Sequence, residues 1–211
     1  DDDESVASGV AEVLKRVSHV DVLVNNAGFG YAGAVEDMTI DEARHQFETN
    51  FFGMHRLCRA VLPQMRARRT GRIVNMSSLG GLVGIPFQAM YCASKFAVEG
   101  YTEALRMELR PFGIQVAMIE PGDFATRFTA SRRMIAANSP QSPYAERCTI
   151  AVRRMAEDES SNPDIAPVVR AAVRAIEARR PRLRYPAANA LQRTLVALRP
   201  LLPQPLFEYL I

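Results

Sequence analysis

Apolar positions along this chain follow two alternating periods. Val6, Val10, Val13, Leu14 and Val17 fall three or four residues apart, which predicts an amphipathic helix over residues 4–18. The run VDVLVNN that follows is short and apolar, the pattern of a strand buried on both faces. Thr39 with Glu42 three residues on reads as a capping box opening a second helix. That helix would bury Phe47, Phe51, Met54, Cys58 and Met65, and Pro63 should kink or loosen its last turns. RIVNMSS (72–78) predicts another strand, and a third helix is expected from Ala89 to Arg110. Gly113 precedes the strand IQVAMIE, which Pro121 and Gly122 stop sharply. Residues 164–180 form a further helix with Ile165, Val168, Val169, Ala172, Val173 and Ile176 on one face. LRYPA (183–187) reads as a last strand before a partly helical tail to Ile211. Only the stretch from Phe124 to Ser161 has weak periodicity, and it reads as an irregular, partly helical insertion.

Strands alternating with helices predict one α/β domain over residues 1–211, a Rossmann-like doubly wound parallel sheet. In such sheets ligands bind beyond the C-terminal ends of the strands. NNAG, MSS and EPG all fall at those ends, and Tyr91 opens the helix after MSS.

Composition narrows the function classes. The chain has 48% hydrophobic and 23% charged residues, as globular proteins do. No apolar run reaches the 18 or so residues of a membrane span. The acidic start, DDDES, is unlike a signal peptide. Cys58, Cys92 and Cys148 are odd in number and widely spaced, which suggests free thiols in a reducing, cytoplasmic setting and no metal site. Residues 1–120 hold 12 basic against 15 acidic side chains, and residues 121–211 hold 14 against 8. The basic runs at 66–72 and 178–184 follow helical patterns and read as solvated helix C-termini, not as a nucleic-acid surface. A phosphorylated or acidic small molecule is the second reading.

The candidate chemistry centres on Tyr91 and Lys95, four apart in YCASK. Ser78 lies 13 residues before the tyrosine and closes a strand, and Asn50 lies 28 residues before that serine in a helical run. A lysine ammonium favours a neighbouring phenolate. Bringing a phenol from about 10 to about 7 needs roughly 4 kcal/mol. A phenol tuned in this way exchanges a proton with a carbonyl or alcohol oxygen, and a serine hydroxyl can hold the same oxygen. Each residue alone has an ordinary reading: a helix-surface pair, a cap, a solvated amide. One compositional fact singles out the lysine, because 24 of the 26 basic residues are Arg and Lys15 is the only other Lys. Arg cannot replace a compact three-donor ammonium at a tight site.

NNAG at 25–28, Asn50, Ser78, the Tyr91–Lys95 pair and PGDFAT at 121–126 together resemble the short-chain dehydrogenase/reductase family, over essentially the whole chain. The resemblance implies an NAD(P)-dependent oxidoreductase that interconverts an alcohol and a carbonyl, with NADP slightly preferred. Tyr91 would be the general acid/base, Lys95 would tune it and hold the nicotinamide ribose, and Ser78 would bind the reacting oxygen. Asn50 would anchor a water. Asn25, Ala27 and Gly28 would lie along the cofactor, and Pro121, Gly122 and Thr126 at its nicotinamide end. Glycine at 28 and 122 would let backbone approach the ligand closely. Asn26 is expected to be structural, tying strands together.

Leu79, Gly80, Phe87 and Phe124 are the expected substrate contacts, beneath a lid within 127–161. Their apolar character fits a steroid-, retinoid- or acyl-like substrate, although Phe128, Met134 and Ile135 can equally serve to pack the lid. The family also implies a homodimer or homotetramer through the helices at 41–65 and 89–110. One family element has no counterpart: no G-x-x-x-G-x-G occurs before position 25, and roughly 60 residues, two βαβ units, are expected upstream. The alternative is therefore a catalytically inert fragment that acts as an interaction module through an exposed sheet edge.

Overall fold

The computed structural model describes residues 2–137 and 140–210; the remaining four, two of them in the expected lid, lie outside the described residues. The chain begins with α1 (Asp3–Arg16), β1 (Val22–Asn25) and a two-residue strand β2 (Tyr31–Ala32). Next come α2 (Ile40–Phe47), a π-helical turn (Glu48–Phe52) and α3 (Gly53–Arg68), which follow one another without a break. Then β3 (Gly71–Met76) leads through a 3-10 turn (Leu79–Gly81) into α4 (Ala89–Leu109) and β4 (Ile114–Pro121). The second half contains α5 (Arg127–Ser131), β5 (Arg133–Met134), α6 (Ala145–Ser160), α7 (Ala166–Glu177), β6 (Arg184–Ala187), α8 (Ala190–Leu198) and α9 (Gln204–Leu210).

Four strands form one parallel sheet in the order β1-β3-β4-β6. Helices cover both faces of its centre, so neighbouring residues on one strand bury against different layers. Ile73, Ile114 and Val116 pack with Met54, Cys58, Val98 and Leu105 of α3 and α4. Val74, Ala117 and Ile119 pack on the other side against Ala171 and Ala175 of α7. The expected Rossmann-like α/β architecture is observed.

Local signals explain the boundaries. The Thr39–Glu42 capping box is closed in both directions, at 3.2 and 2.9 Å. Gly113 enters β4 at φ +73, with the Arg69 carbonyl oxygen only 2.5 Å from where a Cβ would stand. Such a conformation suits glycine alone.

One expectation is corrected. β1 is not buried on both faces: it lies at the sheet edge, and Val22 and Val24 are 36% and 40% exposed. Pro63 lies within α3, which continues to Arg68. The weakly periodic insertion is partly helical as expected, with the 16-residue helix α6, and its strand β5 pairs in parallel with β2. Among the described residues no helix is long and apolar enough to cross a membrane.

Candidate active site

The C-terminal ends of the strands bring the four candidate catalytic residues to one edge of the sheet. Asn50 sits inside the π turn, a feature that often marks functional positions in helices. Its side chain is 3% exposed and fully engaged on its donor side. Nδ2 donates to the Phe29 carbonyl (3.0 Å) and to Ser94 Oγ (3.1 Å), while Oδ1 accepts the Phe29 N–H (3.0 Å). Asn50 thereby clamps the loop after β1 to α4, and one lone pair of Oδ1 remains for a water.

On α4, Tyr91 and Lys95 lie one turn apart on a shared face. Both are buried, at 7% and 5% exposure. Lys95 Nζ donates to the Met76 carbonyl at the end of β3 (2.8 Å) and stands 5.9 Å from the Tyr91 ring centroid. A Cβ added to Gly28 would meet Asn50 Oδ1 at 3.2 Å and Lys95 Nζ at 3.7 Å, so this glycine is set against the Asn50–Lys95 pair. Ser78 Oγ accepts the Gly80 N–H (3.1 Å) and caps the 3-10 turn. Gly80 in turn faces the tyrosine: a Cβ there would lie 3.2 Å from Tyr91 Cε1 and 3.5 Å from Ser78 Oγ.

The electrostatics differ from the sequence expectation. Burial pushes the Tyr91 phenol up to about 12, while the Ser78 hydroxyl draws it down. Burial likewise pushes Lys95 down to about 8, while Glu99 draws it up. Desolvation thus outweighs the Ser78 hydrogen bond, and the lysine ammonium is hydrogen-bonded to a backbone carbonyl.

Other candidates divide. Ala27 and Gly28 are exposed at the mouth of the site. Asn25 is not: it is buried, and its Nδ2 donates to Asn75 Oδ1 on β3 (2.8 Å). Asn25, not Asn26, therefore ties the strands, and Asn26 is exposed. This corrects the strand-tying role expected of Asn26, because alternation along β1 turns the earlier asparagine inward. Gly122 approaches α8 and the residues before it closely, where a Cβ would collide with Gln192 Oε1 at 2.3 Å and Ala188 Cβ at 2.7 Å. Pro121 before it is half-buried. Thr126 is exposed, and its Oγ1 accepts the Phe128 N–H to cap α5 (3.2 Å).

Leu79 and Phe124 are buried near the strand ends. Phe87 is half-buried with φ 61, an uncommon left-handed residue whose carbonyl accepts the Gly33 N–H (2.9 Å). Of the lid residues, Ile135 packs against Phe29 and Tyr31, and Met134 is 40% exposed. Phe128 lies against the catalytic candidate itself, with its ring centroid 5.2 Å from that of Tyr91. A buried Arg132–Glu159 ion pair and a Thr129–Glu159 hydrogen bond (2.5 Å) fasten this segment to α6. Sequence reasoning left Ser94 unassigned. Its position three residues after Tyr91, where its Oγ donates to the Tyr91 carbonyl (2.7 Å), was the available signal.

The family described as short chain dehydrogenase matches residues 1–135. The chain belongs to the short-chain dehydrogenase family. A Bacteroides thetaiotaomicron family member, 3-ketodihydrosphingosine reductase, is 49% identical over 142 residues, covering 67% of this chain and 53% of the relative. Human retinol dehydrogenase 8 is 47% identical over 126 residues, covering 60% of this chain and 40% of the relative. The chain thus spans about half the length of these curated relatives. A Burkholderia phymatum short-chain dehydrogenase/reductase solved in complex with NAD superposes with a TM-score of 0.81 at 25% identity, covering 94% of this chain and 71% of that one.

Proposed function

We propose that this chain carries the catalytic residues of an NAD(P)-dependent oxidoreductase that interconverts an alcohol and a carbonyl. The observation that carries this reading is the convergence of Asn50, Ser78, Tyr91 and Lys95 on one sheet edge. When bound, the dinucleotide supplies or accepts the hydride at the reacting carbon. In the reducing direction Tyr91 gives its phenolic proton to the carbonyl oxygen, which Ser78 holds by hydrogen bonding, and the product is an alcohol. The oxidising direction runs the same proton back to Tyr91.

Lys95 has three donors, of which the structure engages one with Met76, so it retains hydrogens for ribose hydroxyls. Asn50 shapes the floor of the site and offers its remaining lone pair to a water. NADP is taken slightly ahead of NAD, and parallel NADPH and NADH titrations measure the preference. Leu79, Phe124 and Phe128 near Tyr91 support an apolar substrate, steroid-, retinoid- or acyl-like. The names of the two relatives, a ketodihydrosphingosine reductase and a retinol dehydrogenase, fit that class. Residues 127–161 serve as its lid. Phe52, Phe96 and Met107 are exposed on the π turn and α4 and suit a homo-oligomeric contact; the buried free cysteines suit a reducing cytoplasm.

Tyr91→Phe tests the assignment. Turnover should fall about 10³-fold while cofactor affinity stays nearly intact, and unchanged turnover would refute it. The exposed β1 edge supports one other reading, an interaction module that pairs through that edge. Self-association that disappears when Val24 is made polar, in a protein without turnover, would favour it.

A further inference from the structure

α4 carries a second buried ionisable group one turn beyond Lys95. Glu99 is 5% exposed, and its Oε2 accepts from Nε (3.2 Å) and Nη2 (3.0 Å) of Arg184 on β6. The same guanidinium meets Glu103 Oε1 on α4 (2.6 Å) and Glu120 Oε1 on β4 (3.0 Å). Glu120 is 2% exposed, and Oε1 of both Glu99 and Glu120 makes no hydrogen bond among the described residues. Glu103 is half-exposed and counts for little. Two buried carboxyls therefore share one arginine, although a buried charge persists only with a counter-charge. The second cation in this array is Lys95. Its neutral partners are the Met76 carbonyl and the Tyr91 ring, and Glu99 is the carboxylate whose charge reaches it.

We propose that Glu99 is a positioning residue for Lys95, its carboxylate supplying the counter-charge that keeps the buried ammonium protonated beside Tyr91. The inference rests on the catalytic role proposed for Lys95. It follows from the placement of buried Glu99 one helical turn from buried Lys95, whose hydrogen-bonded partner, the Met76 carbonyl, is neutral. The directions agree: burial pushes Glu99 up, while the Ser77 hydroxyl and Arg184 hold it down, and Glu99 opposes the drop that burial imposes on Lys95.

The scarcity of lysine makes a direct test possible. Growth on lysine labelled with carbon-13 at Cε gives two signals, from buried Lys95 and from Lys15, whose side chain is 75% exposed. In wild type the Lys95 signal should titrate below the ordinary lysine range. Glu99→Gln should lower the Lys95 midpoint by about one pH unit and leave Lys15 in place. Glu103→Gln, which removes another partner of Arg184, should leave Lys95 where it is. Glu99→Asp keeps the charge and moves it away by one methylene, so it should give a smaller fall in the same direction. It also serves if Glu99→Gln does not fold, as judged by circular dichroism. A Lys95 midpoint unmoved in the folded Glu99 variants overturns the proposal, as does an equal fall in Glu103→Gln. In a turnover assay the alkaline limb of the Glu99→Gln profile should move to lower pH by the same amount. The titration needs no catalysis, so it separates failure of this inference from failure of the Tyr91 assignment.

Discussion

β1 and β4 begin from the same kind of sequence, a short apolar run between loops, and end in opposite surroundings. Val116, Ala117, Met118 and Ile119 of β4 are all 0% exposed, whereas Val22 and Val24 of β1 face outward with over a third of their surface accessible. β4 has a strand on each side and helices on both faces; among the described residues β1 has one strand partner and one covered face. The apolar run specifies a strand, but neighbours decide how much of it is buried. The hydrophobic driving force follows area removed from water, so equal sequences contribute unequally.

Four substitutions probe this contrast. Ile119→Ala, between β4 and α7, should cost about 2–5 kcal/mol, read from chemical unfolding. A cost below 1 kcal/mol would mean the centre is less tightly packed than described. Gly113→Ala, at the entry to β4, should cost about 1–3 kcal/mol because its left-handed backbone and the nearby Arg69 carbonyl leave no room for a methyl group.

Glu120→Gln tests the polar end of β4 through pH. Burial, then repulsion from Glu99, raises the Glu120 carboxyl from 4.5 to about 7. Between those values the folded chain holds a proton that the unfolded chain has lost, so this group's contribution to stability falls as pH rises from about 4.5 through 7. The variant should therefore gain more in Tm at pH 8 than at pH 4, and equal effects would contradict the raised value. Val24→Thr, on the exposed face of β1, should change stability by less than about 0.5 kcal/mol. A loss approaching that of Ile119→Ala would show that β1 is covered in solution and would erase the contrast.

The same contrast explains what could be read in advance. The helix from Ala89 to Leu109 was legible because one face is buried while Phe96 and Met107 stay exposed, and β3 and β4 because helices cover both of their faces. α6 was not, because only Cys148 and Glu159 on it are buried, leaving little apolar rhythm to detect. In the site, the order and spacing of Asn50, Ser78, Tyr91 and Lys95 pointed to one strand-end edge, and the geometry brings them there. The contacts of Asn25, Gly122 and Phe128 depended on chain distant in sequence: Asn75, Gln192 and the packing of α5 over Tyr91. No local pattern carries that information. The depth of burial, which sets the ionisation of Tyr91 and Lys95, is of the same long-range kind.

The π turn at Glu48–Phe52 makes the length of this helix as consequential as its composition. A π turn accommodates one residue more than regular α winding. Losing a single codon between Phe47 and Gly53 would let the helix wind evenly, and α2 and α3 would keep close to their present phase because the wide turn is what absorbs the extra residue. Asn50 would then leave Phe29 and Ser94 while the apolar contacts of α3 stayed in phase, so the loss would fall on the site and not on the core. Substitutions on the outer face of the helix carry no such penalty, so single-residue deletions and substitutions here should have sharply unequal fates under selection for activity.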